Sequence, residues 1–140
     1  MPDRPAAPIV VHSLREAEAA LAAAVALGCP VTLVSAPAAG AHGGAGWFCA
    51  LVDAARADHP AAVVTAIFDC ADLPGCAQAA IRAGVPDLCF TGSPDLFSRL
   101  SAIAAAAGVR LHDANTFAGP RLDLRNVADP VAACRRWLGG

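Results

Sequence analysis

Five short apolar runs alternate with four helical segments, and this alternation limits how the chain can fold more than any other feature. The runs lie at residues 8–12, 30–35, 62–68, 85–90 and 109–112. Strands that alternate with helices predict a parallel sheet with right-handed crossovers. The second run is apolar along its whole length, which is typical of a parallel strand covered on both faces. We therefore predict a single-domain α/β fold.

Two strand orders fit this alternation. The favoured prediction is a three-layer αβα sandwich with a mainly parallel five-stranded sheet in the order 2-1-3-4-5. The alternative is half of a βα barrel in the order 1-2-3-4-5, which is less favoured because a half barrel leaves one sheet face in need of a partner. In either case the connections between elements are short, as in compact domains.

The repeat ends at residue 112. Residues 121–125 alternate charged and apolar side chains, which predicts an edge strand, and Asp129-Pro130 begins a last helix. We predict a βα-repeat core over residues 1–112. Residues 113–140 form a C-terminal extension that packs on the core or on a partner subunit.

Helix ends are marked by local signals. Ser13 followed by Glu16 has the form of a capping box, and Gly28 ends the same helix. A second helix is predicted from about residue 46 to residue 58. Ser93-Pro94 begins the fourth helix, with serine as the cap and proline in the first position.

Composition excludes several classes of function. The chain of 140 residues contains no lysine and has a net charge of −2. Without lysine it cannot form a Schiff base with a carbonyl substrate or a pyridoxal cofactor, nor a P-loop contact to phosphate. The scattered arginines form no basic stripe, so we expect no nucleic-acid partner. No segment is predicted to span or bind a membrane, and we expect a cytoplasmic protein.

The six cysteines show no C-x-x-C spacing and mostly lie within apolar patterns. In a cytoplasmic protein they are most simply small buried hydrophobic residues. Cys70 and Cys76 flank a loop and form the pair to examine for redox or metal chemistry.

A glycine-rich loop over residues 35–47 is the longest predicted connection and the first candidate for a site. Its glycines allow close approach of the backbone to a ligand, and the following helix offers unpaired N–H groups with positive partial charge. The predicted cradle for an anion is Gly40, Gly43, Gly44 and Gly46. A flexible surface loop without function is the alternative.

Polar residues gather where the predicted strands end, which is the edge at which open parallel sheets bind ligands. Asp69 follows the third strand, and a carboxylate there is costly unless it is bonded or used. Asp72 follows it and is either a ligand-binding residue or the cap of the next helix. The loop after the fourth strand contributes Thr91, Gly92 and Ser93 as further ligand-binding candidates.

His42 and Asp69 are the predicted catalytic pair, because a loop histidine can act as a general base near neutral pH. No metal is assigned. If one is bound, His12, His42 and Asp69 are its predicted ligands, with Asp72 or His112 as an addition. No cofactor is assigned either.

Residues 79–93 resemble the helix–strand–loop unit of aldolase-like and phosphate-binding βα barrels. In that unit a loop of small residues after a late strand holds a substrate phosphate, which implies a phosphate contact at Thr91, Gly92 and Ser93. The resemblance covers about a tenth of the chain, and no Schiff-base lysine exists elsewhere. The resemblance therefore assigns no family.

The leading functional hypothesis is the binding of a small phosphate- or carboxylate-bearing molecule at the carboxyl edge of the sheet. As an enzyme, the chain would be a lysine-independent lyase or isomerase. The alternative is a non-catalytic interaction or scaffold domain. We expect a homo-oligomer in either case.

Overall fold

The computed structural model describes residues 8–37, 44–113 and 119–139. Within these residues the chain forms six strands and five helices. In chain order they are β1 (Ile9–Val11), α1 (Leu14–Leu27), β2 (Val31–Ser35), α2 (Gly44–Asp58), β3 (Val64–Asp69), α3 (Pro74–Arg82), β4 (Asp87–Phe90), α4 (Pro94–Ala106), β5 (Arg110–Asp113), β6 (Leu122–Asp123) and α5 (Pro130–Gly139).

The predicted fold class is confirmed: the structure is a mixed α/β fold with an open parallel sheet, which matches a three-layer α/β sandwich. The favoured strand order is wrong. The sheet runs β5-β4-β3-β2-β1-β6, so the first five strands are neighbours in sequential order, as in the alternative prediction. All residues of β1, β2 and β4 are buried. The sequential order therefore leaves no open face on these strands, and the reason for rejecting it does not apply.

Local capping signals are confirmed in detail. The Ser13 hydroxyl accepts a hydrogen bond from the Glu16 backbone N–H at 3.2 Å, and a carboxylate oxygen of Glu16 accepts one from the His12 N–H at 2.9 Å. Gly28 ends α1 in the left-handed region at φ 65°, a conformation that favours glycine. The Ser93 hydroxyl caps α4 by accepting from the Leu96 N–H at 3.3 Å.

Some predicted boundaries shift by about two residues. β3 begins at Val64 and includes Asp69, which pairs with Cys89 of β4. β4 begins at Asp87, after a proline that cannot donate a ladder hydrogen bond. Asp69 is thus the last residue of a strand, in a fixed register.

The chain divides into two compact units. The first comprises Met1–Val34, Ala50–Ala66 and Gly119–Gly140, and the second comprises Ser35–Cys49 and Ile67–Ala118. The predicted boundary at residue 113 stays a prediction.

In the first unit, the predicted C-terminal edge strand and helix are both present. β6 pairs in parallel with β1, with Ile9 opposite Leu122, and α5 packs against α1. Leu124 and Cys134 are buried. The C-terminal residues therefore pack on their own chain within this unit.

In the second unit, β4 pairs in parallel with β3 and with β5. The aromatic rings of Phe48 on α2 and Phe68 on β3 pack with centroids 5.9 Å apart. Phe48, Phe68 and Phe90 are fully buried, and each contributes about 1.5–3 kcal/mol of hydrophobic stabilisation. This core holds the strand ends and helix starts of the unit in place.

No helix among the described residues has the length and apolar character needed to cross a membrane.

Candidate anion-binding cavity

A cavity of about 460 Å³ lies within the second unit. Its walls come from the first turn of α2 (residues 44–46), from Phe68 of β3, and from the beginning of α3 (residues 73–76). Ala79 and Ala80 of α3 and Ala83, which caps the C-terminus of α3, complete it. The cavity is thus bounded by two helix starts and by apolar side chains.

The N-terminus of α3 carries no side-chain cap. Leu73 occupies the N-cap position with extended backbone angles, φ −99° and ψ 97°, and its side chain makes no capping hydrogen bond. Pro74 follows at the first helical position and has no N–H. The next two residues, Gly75 and Cys76, contribute backbone N–H groups to the positive end of the helix dipole at the cavity wall.

The glycines on the cavity wall leave space. Within the described structure, no atom lies within 4 Å of a Cβ placed on Gly46 or Gly75. Gly44 has φ +77°, a conformation that favours glycine. Of the predicted anion cradle, Gly44 and Gly46 lie on the cavity wall. Gly40 and Gly43 lie outside the described residues.

Asp69 organises the turn that precedes α3. Its N–H donates to the Ser35 hydroxyl at 2.8 Å, and one carboxylate oxygen accepts from the Ala71 N–H at 2.8 Å. Ala71 has φ 51°, a strained angle for alanine. Asp69 is buried, and the hydrogen bond from the Ala71 N–H offsets part of the cost of removing its carboxylate from water.

Asp72 is exposed and lies one residue before the helix cap. The alternative prediction that Asp72 caps α3 is wrong, because Leu73 occupies that position. The physical reason is the Asp69 turn, which places Asp72 one residue too early. A ligand-binding role for Asp72 stays a prediction.

The loop after β4 contacts the same turn. The Thr91 N–H donates to the Ala71 carbonyl at 2.8 Å. A Cβ on Gly92 would overlap the Phe90 ring, so this position requires glycine. The Ser93 hydroxyl is used as the cap of α4. The phosphate contact implied for these three residues stays a prediction.

Of the predicted site histidines, the structure describes His12 and His112. His42 lies outside the described residues, and its catalytic role stays a prediction. His12 belongs to the first unit, where its Nε2 lies 2.7 Å from a carboxylate oxygen of Asp123. Backbone and side-chain hydrogen bonds hold the pKa of Asp123 below its usual value, although burial acts in the opposite direction. Among the described residues, no group of three or more histidine, cysteine and carboxylate side chains could hold a metal ion.

A polar cluster that the sequence analysis missed joins β4 and β5. Arg110 donates two hydrogen bonds to the Asp87 carboxylate, from Nε at 2.7 Å and from Nη2 at 2.8 Å. His112 Nε2 lies 2.9 Å from the same carboxylate. Burial favours the neutral form of Asp87, but these hydrogen bonds outweigh it and lower its pKa. The signal was available, because both predicted orders place strands 4 and 5 side by side and residues 110 and 112 on one face.

The cysteines divide into buried and partly exposed residues. Cys70, Cys89 and Cys134 are buried, in agreement with the sequence interpretation, whereas Cys29, Cys49 and Cys76 are half-buried. Burial strongly raises the pKa of the Cys70 thiol, and the neighbouring Cys76 thiol raises it further. Cys76 lies on the cavity wall.

A second, more polar cavity of about 480 Å³ lies in the first unit, between α1 and the start of α5. Arg15, Glu18, His59 and Asp129 line it. A hydrogen bond with Asp58 raises the pKa of Glu18, which is half-buried. Asp129 uses one carboxylate oxygen to accept from the Ala132 N–H at 3.0 Å. This cavity is an open groove lined by solvated charges.

Comparison with known proteins finds a similar fold among solved structures and no matching family. No family model and no curated protein matches the chain. Among solved structures, the chain is similar to a protein from Coccidioides immitis that carries the provisional name of fructose-1,6-biphosphate aldolase, with a TM-score of 0.64 and 18% identity. The match covers 76% of this chain and 39% of the Coccidioides immitis protein. At this level of identity, the similarity shows only that this chain has the fold of part of that protein.

Proposed function

We propose that the chain binds a small anionic molecule, bearing a phosphate or a carboxylate, in the cavity of the second unit. The observation that carries this proposal is that the first turns of two helices, α2 and α3, line one cavity. Helix N-termini bind anions through unpaired N–H groups and a positive dipole end. The chain has no lysine, and no arginine is among the described residues that line the cavity, so backbone amides are the donors.

The apolar walls limit what the rest of the ligand can be. Phe68 and the alanines of α3 line the cavity away from the helix N-termini. A volume of about 460 Å³ is at the lower end of ligand pockets, which typically span about 300–1,000 Å³. The proposed ligand is therefore a small molecule with one anionic end and a weakly polar body.

A lysine-independent lyase or isomerase reaction is the catalytic form of this proposal. It is supported by the fold that the chain shares with part of the Coccidioides immitis protein, whose provisional name is fructose-1,6-biphosphate aldolase. His42 and Asp69 are its acid–base groups, with Asp69 also holding the turn before α3. The non-catalytic scaffold domain is the competing function, and the experiment below separates the two.

The test places a charge at the proposed anion position without disturbing the fold. Gly75→Asp introduces a carboxylate into the first turn of α3, where a Cβ has open space. A negative charge there stabilises the helix by about 0.3–1 kcal/mol, so lost binding cannot be attributed to unfolding. Gly75→Asn has nearly the same shape and no charge, and it is the matched control.

Binding is followed by titrating inorganic phosphate and recording backbone amide resonances. We expect saturable shifts of the amide resonances of residues 75 and 76 in the wild type and in Gly75→Asn. In Gly75→Asp, like-charge repulsion should weaken binding about tenfold or more. Equal phosphate affinity in Gly75→Asp and Gly75→Asn would contradict the proposal. A failure of phosphate to bind, together with sedimentation as a stable homo-oligomer, would favour the scaffold function.

A further inference from the structure

Two cysteines flank the turn between β3 and α3. Cys70 follows the last residue of β3, Cys76 lies in the first turn of α3, and five residues separate them. The Cys70 thiol faces the Phe68 carbonyl oxygen, and Phe68 and Cys76 line the same cavity. A hydrogen bond with the Cys76 thiol is among the causes that raise the pKa of Cys70. Two thiols placed at one short turn in this way are candidates for a disulfide.

The two thiols differ in access. Cys70 is fully buried, and its thiol faces the Phe68 carbonyl oxygen at 3.9 Å. Cys76 is half-buried and lies on the wall of the cavity. A small reagent that enters the cavity therefore reaches Cys76 before the fully buried Cys70.

We propose that Cys70 and Cys76 form a reversible disulfide when a low-molecular-weight disulfide enters the cavity. In the first step, the Cys76 thiol loses its proton and its sulfur attacks one sulfur of the small disulfide. That S–S bond breaks, a mixed disulfide forms on Cys76, and one small thiolate leaves. In the second step, this thiolate or solvent takes the proton of Cys70, whose sulfur attacks Cys76.

The second attack releases the other half of the reagent as a small thiol. In total, two protein thiols are oxidised to one disulfide, and one small disulfide is reduced to two thiols. Access through the cavity assigns the first attack to Cys76, and burial, which raises the pKa of Cys70, acts in the same sense. Cys89 also lies near Cys70 and is the competing partner, but it is fully buried and lies on the next strand.

The chain is suited to a direct test by peptide mapping. It has no lysine, so trypsin cleaves only after arginine, and the fragment from residue 57 to Arg82 contains Cys70 and Cys76 and no other cysteine. The reduced full chain is treated with glutathione disulfide, its remaining thiols are alkylated, and it is digested without reductant. We expect the loss of two of its six free thiols and a fragment 57–82 that is lighter by two hydrogens.

Variants separate the two roles. Cys70→Ser should leave the glutathionyl group attached to Cys76, and Cys76→Ser should leave Cys70 unmodified. Cys134→Ser, which removes a buried thiol from α5 in the first unit, is the control and should form the disulfide as the wild type does. Treatment with dithiothreitol should restore all six thiols in the wild type.

The wild-type measurement decides the proposal even if a variant fails to fold. The proposal is overturned if all six thiols survive, if Cys76 carries only the glutathionyl group, or if fragment 57–82 is linked to fragment 83–99, which holds Cys89. The disulfide does not depend on anion binding. Its failure is therefore distinct from equal phosphate affinity in the two Gly75 variants.

Discussion

Asp87 shows how a buried carboxylate can serve the fold instead of a reaction. Its side chain is 6% exposed, and its bidentate partner Arg110 is 72% exposed. Two strong hydrogen bonds from one guanidinium and a third contact from His112 satisfy the carboxylate. The pair joins edge strand β5 to β4, so the charge contributes to the attachment of that strand.

The lowered pKa of Asp87 predicts a specific dependence of stability on pH. A carboxylate whose pKa is lower in the folded state contributes stability above its unfolded pKa of about 3.9 and loses it as pH falls through the folded pKa. We expect Asp87→Asn to lower the free energy of unfolding by about 1 kcal/mol at pH 7, a modest figure because Arg110 is exposed. The difference from wild type should shrink below about pH 4.

Urea unfolding between neutral pH and pH 3 measures this difference. Asp53→Asn, at an exposed position of α2, controls for the loss of one charge and should stay within about 0.5 kcal/mol of wild type at pH 7. If the wild type exceeds Asp87→Asn in free energy of unfolding by the same amount down to pH 3, the ionised carboxylate of Asp87 is not the source of the added stability.

Single residues differ in how well sequence predicts them. Ser93 was recognised because a cap depends on its own helix alone, and the structure confirms it. Asp69 was recognised as a costly buried carboxylate, but its partners could not be named. The carboxylate accepts from the Ala71 N–H, and the backbone N–H of Asp69 donates to the Ser35 hydroxyl. Ser35 is far away in sequence, and only the fold brings it to Asp69.

At the scale of elements, α3 differs from α1 and α4 in the way it begins. The other two helices use serine caps, Ser13 and Ser93, whereas α3 begins with Leu73 and Pro74. A helix N-terminus without a cap side chain costs stability, and it also leaves N–H groups for a ligand. We interpret the missing cap as a loss of helix stability that leaves the first-turn N–H groups of α3 available to the proposed anion.

This interpretation predicts opposite effects on stability and on binding. Leu73→Asp supplies a carboxylate at the N-cap that accepts from the first-turn N–H groups of α3. Compared with Leu73→Ala, which removes the same apolar side chain, Leu73→Asp should raise the free energy of unfolding by about 1 kcal/mol. It should also weaken phosphate binding, because the new carboxylate occupies the anion position.

Urea unfolding and phosphate titration of the two variants measure both effects. If Leu73→Asp is more stable than Leu73→Ala yet binds phosphate equally well, the N-terminus of α3 is not the anion site. The two effects are informative only together, since a cap that does not form would leave both quantities unchanged.

At the scale of the whole molecule, the class of the fold was predictable and the strand order was not. Alternating apolar runs and helices determine a parallel sheet whatever the order of its strands. The order depended on whether a sequential sheet would have an uncovered face, and local patterns do not contain that information. The tail shows the same limit, because its edge strand was predicted but its neighbour, β1, was not.

The tail also carries the last prediction. Leu124 and Cys134 are buried, β6 is the parallel partner of β1, and α5 packs against α1 of the same chain. A chain that ends at Asp113 loses all of these contacts, and the loss of Leu124 alone is comparable to a core truncation, about 2–5 kcal/mol. We therefore expect the shortened chain to melt at a much lower temperature or to fail to fold.

Two measurements on the full and the shortened chain distinguish packing within one chain from a role between subunits. They are thermal unfolding followed by circular dichroism, and sedimentation equilibrium. A tail that packs on its own chain gives a loss of stability whatever the oligomeric state of the wild type. A tail that serves mainly to join subunits gives a stably folded, smaller species. Leu124→Ala in the full chain refines the test, because it keeps β6 in place and removes only buried apolar contacts. A melting temperature unchanged by this substitution would contradict the packing of the tail against its own unit.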